Sequence, residues 1–308
     1  MQCSTRFGDT AMMYDLLEIY EVDVQNKTMG YSLVRRINER DIAAIDNCIA
    51  CADYLMPFVH LWSAIEINLG DINQTLKSFA ENHQGTLKSS RDKKIYISSH
   101  SNIMARANNF LSSANLFLTY MEQNTTSDNC KREWNIKRRA LHAENPNYRL
   151  CYELRNHAQH AGLPISAIEV KNIDSQKDVQ GVIYLEKDSI TNSGRASEKL
   201  KKHISEFDSD VDLISAFESY QKSIAELFEY FIMQHKQYFD IILSFYDQYS
   251  KIQLENSEGS LVYVHKKVPD NEITIKMTRL RLSKFKYIID VIKQVKSIVS
   301  NGCNDTMC

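Results

Sequence analysis

Residues 214–249 read ISAFESYQKSIAELFEYFIMQHKQYFDIILSFYDQY, and this stretch decides the fold class. Its apolar side chains recur at steps of three and four residues, which places them on one side of an α-helix. The seam consists of Ile214, Phe217, Gln221, Ile224, Phe228, Phe231, His235, Tyr238, Ile242, Phe245 and Tyr249. So apolar a seam is unfavourable in water. We therefore expect one helix, from Asp208 or Ser209 to about Ile252, that packs along other helices.

The same spacing predicts further helices on both sides of the Asn124–Asn129 break. They are expected near 39–68, 99–123 and 147–161. Gly70 is expected to end the first, and Gly85 a short successor. The chain has only 9 Gly and 4 Pro, so few residues interrupt helices.

Strands are expected in three places. The pattern of residues 1–38 is ambiguous, but Leu16–Val24 alternates enough to be a strand, and Asn26–Gly30 would be its turn. Ile165–Val170 and Val182–Leu185 form a hairpin with a long polar loop. The last segment has strands at Leu261–His265 and Ile273–Met277, then a helix from Leu282 to about Val299.

The predicted fold is an all-α bundle with a short β-hairpin insertion and a small C-terminal α/β appendage. We divide it into an N-terminal segment at 1–38, a helical domain at 39–255 and a basic extension at 256–308.

Composition excludes several classes of protein. The net charge of −2 argues against non-specific nucleic-acid binding by the whole surface, so any such site must be a local basic patch. The 7 cysteines lack framework spacing and are expected to be reduced thiols. The first residues do not resemble a secretory signal, and no uninterrupted apolar run reaches the length of a membrane span. We expect a soluble cytoplasmic protein.

Cofactor motifs are missing from the sequence. There is no glycine-rich phosphate loop, no G-x-S-x-G and no HExxH, so no cofactor is expected. Cys48 and Cys51 form a single CxxC, which supplies two of the four ligands that zinc needs. Both lie beside a helical apolar stripe, so we interpret them as core residues and expect no bound metal.

The strongest candidate for a functional site is the segment of residues 152–164, YELRNHAQHAGLP. Arg155, Asn156 and His160 lie near the end of a predicted helix that stops at Gly162 and Pro164. Arg155, four intervening residues and His160 form an Arg-x4-His pattern with a polar residue directly after the arginine.

This segment resembles the HEPN family, helical ribonucleases and RNA-binding domains of toxin–antitoxin and antiviral systems. The resemblance rests on Arg155, Asn156, His160 and the helix end beyond them. It implies a HEPN-like bundle and a homodimer in which two Arg/His sets line one cleft. It also implies a toxin or phage-defence effector, with an antitoxin or a defence-complex subunit as partner.

The residues suit metal-independent RNA cleavage by the 2′-hydroxyl. Histidine accepts or donates a proton at neutral pH, so His160 is the expected general base or acid. Arginine stays charged and forks onto phosphate oxygens, so Arg155 is expected to bind the scissile phosphate. Asn156 is expected to orient His160 or the phosphate, and His157 is an assisting candidate. The alternative is a catalytically inactive helical module that binds RNA or protein, in which these residues only close a helix.

A basic cluster just upstream is the expected RNA-binding surface. It consists of Lys131, Arg132, Lys137, Arg138 and Arg139. A second basic stretch, 261–300, has interleaved aromatic residues but equally fits a solvated helix face over an apolar core.

Overall fold

The structure is a computed structural model that describes residues 13–23, 28–82, 90–125, 128–172, 179–255, 260–267 and 274–302. These residues form nine helices: α1 (Glu39–Asn82), α2 (Ser90–Asn124), α3 (Asp128–Glu144), α4 (Pro146–Ala161), α5 (Lys187–Thr191), α6 (Glu198–Ser205), α7 (Leu213–Gln234), α8 (Lys236–Glu255) and α9 (Leu282–Gly302). They also form eight strands: β1 (Met13–Asp23), β2 (Thr28–Ile37), β3 (Glu169–Asn172), β4 (Val179–Val182), β5 (Tyr184–Leu185), β6 (Val211–Asp212), β7 (Ser260–Lys267) and β8 (Thr274–Arg279). The protein is therefore mostly α-helical, as predicted.

The largest sheet joins the two ends of the chain. Its four strands run in the order β2-β1-β7-β8, all antiparallel, with Tyr14 opposite His265 in the pairing of β1 with β7. The predicted division placed these strands in two separate segments, 1–38 and 256–308. Sequence patterns mark strands but not their partners, so this pairing could not be anticipated.

The chain forms two compact units. The first contains the described residues up to Met56 together with His235–Asp290, and so includes the four-stranded sheet. The second contains Pro57–Gln234 and the described residues from Val291 onward. The grouping differs from the predicted domain at 39–255, because α1 and the α7–α8 segment each contribute residues to both units.

Helix α1 is continuous for 44 residues, so the prediction that Gly70 ends it was wrong. Helix-interior glycine costs only about 1 kcal/mol relative to alanine. Buried side chains on both sides of Gly70, including Leu69, Ile72 and Leu76, continue the same stripe. Their burial outweighs the glycine, and the helix continues through it.

One described helix is long and apolar enough to cross a membrane when judged by length and composition alone. It is α1, and 39% of its most apolar window is buried inside the protein. A core helix passes the same test, so this finding is weak evidence for a membrane span.

The predicted seam is mostly buried, but it belongs to two helices. Phe217 and Phe228 of α7 are fully buried, and in α8 Ile242 is too. In the second unit, the Phe110 and Phe217 rings lie 4.6 Å apart. The prediction of a single helix was wrong at His235, where α7 ends and α8 begins.

The interruption coincides with a buried polar side chain. His235 is 4% exposed, and its Nε2 lies 3.0 Å from the hydroxyl of Tyr54 within the first unit. The Tyr238 amide donates to the His235 carbonyl at 2.9 Å, which closes a tight turn at the junction. Apolar side chains still recur at steps of three and four residues across such a turn. Their spacing therefore did not reveal that the helix is interrupted.

A hairpin is present near the predicted place, but the bounds of its strands differ from the predicted ones. Strands β3 and β4 pair antiparallel, with Glu169 opposite Val182, and Ile165 forms a bridge with Leu185. Strand β5 also pairs with β6, just before α7. A Cβ at Gly181 would lie 2.7 Å from the Leu76 carbonyl oxygen. Only glycine therefore lets the hairpin approach α1 this closely.

Candidate functional site

Helix α4 carries the candidate site, and both of its ends are fixed. The Asn145 side chain caps the first turn by accepting from the Tyr148 amide at 3.1 Å, and Pro146 follows the cap. Asn145 Nδ2 also donates to the hydroxyls of Ser219 and Ser223 on α7, at 3.1 and 3.0 Å. Gly162 ends the helix with φ at 79°. The helix is thereby held in one position on α7.

The inward face of α4 packs on several helices of the second unit. Leu150, Cys151 and Leu154 are essentially unexposed, and α4 contacts α2, α3, α6 and α7. The Cys151 thiol donates to the Ala216 carbonyl at 3.8 Å. Side chains on the remaining arc of α4 are therefore presented from a rigid support.

Arg155 lies at the edge between the buried and the exposed face. Its Nη1 donates to Asn156 Oδ1 at 3.0 Å, while its Nε is buried without a partner among the described residues. Within the described chain, no carboxylate forms an ion pair with Arg155. Arg149, one and a half turns earlier, pairs instead with Glu206. Among the described residues, the Arg155 guanidinium is therefore positioned by Asn156 and its charge is not paired with a carboxylate.

Asn156 and His160 are both exposed and lie on one side of the helix. At 100° per residue they leave α4 about 40° apart, whereas Arg155 and His160 leave it about 140° apart. The bond to Asn156 turns the Arg155 guanidinium towards the exposed arc. The structure thus brings Arg155 and Asn156 together, and leaves His160 without a hydrogen-bonding group in the described part of the chain.

His157 lies on the opposite edge of α4. It is 8% exposed, and burial lowers its pKa from the ordinary 6.5, partly offset by a hydrogen bond with the Arg195 backbone. Its Nδ1 is buried, with no partner in the described residues. The structure therefore does not bring this assisting candidate to the exposed arc of Asn156 and His160.

The basic cluster lies on α3, and its members differ in the contacts that their side chains make. Lys131 and Arg139 are exposed. Arg138 donates to Glu122 at 3.1 Å, and Arg132 lies 3.9 Å from Glu133. Lys137 lies elsewhere on the helix, 5.6 Å from the centre of the Tyr230 ring. Lys131 and Arg139 are the members whose charge is most available to a polyanion.

The CxxC pair lies in the core of the first unit. Cys48 is unexposed and Cys51 is 4% exposed. Burial raises the pKa of Cys48 to about 12 and also raises the pKa of Cys51. Because zinc binds thiolates, these thiols suit packing better than metal binding. In the described residues, no group of three or more His, Cys, Asp or Glu side chains is arranged to hold a metal ion.

Sequence reasoning missed a polar cluster where α3, α4 and α6 meet. The His142 and His203 rings are nearly perpendicular with centres 5.8 Å apart, and His203 Nδ1 lies 3.1 Å from Glu206 Oε1. Arg149 binds Glu206 and also donates to the backbone carbonyl of His142 at 2.9 Å. The three-residue spacing of His203 and Glu206 was a local signal in the sequence for part of this cluster. His142 is distant in sequence, so no local pattern indicated that it joins them.

Chemically, the exposed arc of α4 can bind an anion at Arg155 and exchange a proton at His160. One chain supplies one such pair. Comparison of the chain with protein-family models, with curated proteins and with solved structures finds no match.

Proposed function

We propose that the protein is a metal-independent endoribonuclease of HEPN type, acting through Arg155, Asn156 and His160. The observation that carries the proposal is the uncompensated guanidinium of Arg155, ordered by its 3.0 Å bond to Asn156. An ordered cation with no carboxylate competing for it is suited to a phosphate group, which accepts two hydrogen bonds from one guanidinium.

The position of α4 supports this assignment. Backbone and side-chain contacts fix both ends of the helix, so the side chains of its last turns are presented in a defined geometry. Fixed donors stabilise developing charge better than mobile ones, because little reorganisation is needed during the reaction. The mostly helical second unit is compatible with the bundle that the sequence resemblance implies.

In the proposed reaction, His160 accepts the proton of an RNA 2′-hydroxyl. The 2′-oxygen forms a bond to phosphorus, and the bond between phosphorus and the 5′-oxygen breaks. The leaving oxygen takes a proton from a second, protonated histidine. Arg155 neutralises charge on the phosphoryl oxygens. The products are a 2′,3′-cyclic phosphate and a 5′-hydroxyl.

The second histidine comes from a second copy of the chain. Arg155 and His160 leave the helix about 140° apart, so a single set does not surround a phosphate group. A two-fold dimer places two equivalent sets around one cleft and supplies a base and an acid. The exposed cations Lys131 and Arg139 on α3 then contact the RNA backbone away from the reacting phosphate.

One observation favours the alternative, an RNA-binding protein without catalysis. His160 is exposed, and in the described part of the chain nothing orients its ring. Catalytic histidines are commonly oriented by a hydrogen bond to their second nitrogen. An RNA cleavage assay in EDTA separates the two functions, with His160→Ala as the control. The endoribonuclease cleaves and the variant does not, whereas the alternative binds RNA in both forms and cleaves with neither.

A further inference from the structure

The helix α6 packs against α4 and is fixed at its C-terminal end by an ion pair. At one end, Arg149 of α4 pairs with Glu206, the residue that follows α6. Near the other end, the backbone of Arg195, just before α6 begins, lies close enough to His157 of α4 to influence its pKa. Between these points Leu200, His203 and Ile204 are buried. Residues 195–206 therefore form a cover on one side of α4.

Two imidazole rings are in contact where the cover packs against α3. His203 belongs to α6 and His142 to α3, and their ring centres are 5.8 Å apart. His142 also contacts the rings of Tyr148 and Tyr152, with centres 6.3 and 6.2 Å away. This packing is well suited to an uncharged His142, because its neighbours are aromatic rings and another imidazole.

The charged groups around His142 also disfavour its protonation. The titratable and charged groups that face it are Arg138 of α3, Tyr148, Arg149, Tyr152 and Glu153 of α4, and His203, with its partner Glu206, of α6. Burial lowers the pKa of His142 below 6.5, and His203, Arg149 and Arg138 lower it further, whereas Glu153 opposes them. A proton on His142 would therefore lie near the guanidinium groups of Arg138 and Arg149 and beside the His203 ring.

We propose that His142 is a proton-operated latch that holds the 195–206 cover on α4 when neutral and releases it when charged. The sign follows from the lowered pKa. Above about pH 6.5 His142 is neutral whether the cover is attached or released, so attachment is fully stable. Below that value the released form binds a proton that the attached form resists, and attachment weakens as the pH falls. The proposal concerns the cover alone and does not depend on RNA cleavage.

Hydrogen–deuterium exchange of the 308-residue chain tests the latch at about pH 7.5 and about pH 5.5. After correction for the intrinsic pH dependence of exchange, we expect amides of residues 198–206 to exchange severalfold faster at the lower pH, with about tenfold as the limit for one proton, and those of α7 to be unchanged. In His142→Asn the acceleration should disappear, and in the matched surface variant His160→Asn it should persist. Unchanged exchange in the parent, or equal acceleration in His142→Asn, would overturn the proposal.

A second measurement keeps the test decisive if His142→Asn fails to fold. The pKa of His142 can be measured in the unaltered protein by NMR titration of its ring signals. We expect a midpoint below 6.5, coinciding with the onset of faster exchange in 198–206. A midpoint at or above 6.5, or an exchange transition at a different pH, would show that His142 does not operate the cover.

Discussion

Arg155 Nη1 donates a hydrogen bond to Asn156 Oδ1 across 3.0 Å, although the two side chains leave α4 about 100° apart. The bond draws the guanidinium round the helix towards the arc that carries His160. Its acceptor is a neutral amide, so the charge of Arg155 remains available. The proposed site depends on this neutrality more than on the Arg-x4-His spacing.

Asn156→Asp tests that dependence directly. Aspartate has nearly the same shape and can keep the hydrogen bond, but it gives Arg155 a carboxylate that competes with phosphate. We expect RNA cleavage to fall by about tenfold or more, with little change in melting temperature. Asn147→Asp is the matched control, because it makes the same substitution on α4 but lies eight residues before Arg155, out of reach of the guanidinium. Equal losses in both variants would indicate a general charge effect instead of a specific one.

The contacts of α3 predict unequal effects of its basic residues on RNA binding. Lys131→Gln and Arg139→Gln should each weaken binding and reduce the slope of log affinity against log salt by about 0.7–0.9. Arg138→Gln should have a smaller effect, because Glu122 already compensates its charge at 3.1 Å. Fluorescence anisotropy over a salt series measures these slopes. If Arg138→Gln weakens binding as much as Arg139→Gln, the division of the cluster is wrong.

Two glycines should respond to alanine in opposite directions. A Cβ at Gly70 meets nothing within 4 Å inside α1, so Gly70→Ala should raise the free energy of unfolding by about 0.5–1 kcal/mol. Gly162 has φ 79° and ψ 171°, a conformation nearly restricted to glycine, so Gly162→Ala should lower it by about 1–3 kcal/mol. Urea unfolding gives both values. Destabilisation by Gly70→Ala would contradict the continuous helix.

The proposed mechanism also predicts assembly. Because one Arg155/His160 set is incomplete, the active form should be a two-fold dimer. Multi-angle light scattering at micromolar concentration should give twice the chain mass, and activity per chain should fall on dilution below the dissociation constant. A strict monomer that cleaves RNA at a constant rate per chain would rule out the shared cleft.

Local signals in the sequence predicted much of the helical architecture. Pro146 at the start of α4 and Gly162 after its end lie where the sequence indicated them, and the aromatic seam of α7 is buried. Such features depend on residues close in the chain, so spacing alone reveals them. The turn at His235 escaped the same reasoning, because a single-residue interruption preserves the periodicity.

Contacts between distant residues could not be predicted. The pairing of β1 with β7 and the approach of His142 to His203 both depend on tertiary packing. In the candidate site, the inward position of His157 and the pairing of Arg138 with Glu122 had the same origin. A sequence pattern supplied the residues of the site, and only the fold shows which of their charges are compensated.

The most direct test of the central claim is the chemistry of the cleaved ends. Purified protein in EDTA is incubated with a defined RNA, and the products are analysed by mass spectrometry. We predict 2′,3′-cyclic phosphate and 5′-hydroxyl ends, no cleavage where one 2′-deoxynucleotide replaces the ribonucleotide before the scissile bond, and a loss of about 10²-fold or more in both Arg155→Ala and His160→Ala. Cleavage at an equal rate by His160→Ala, or cleavage at the deoxy position, would contradict the account.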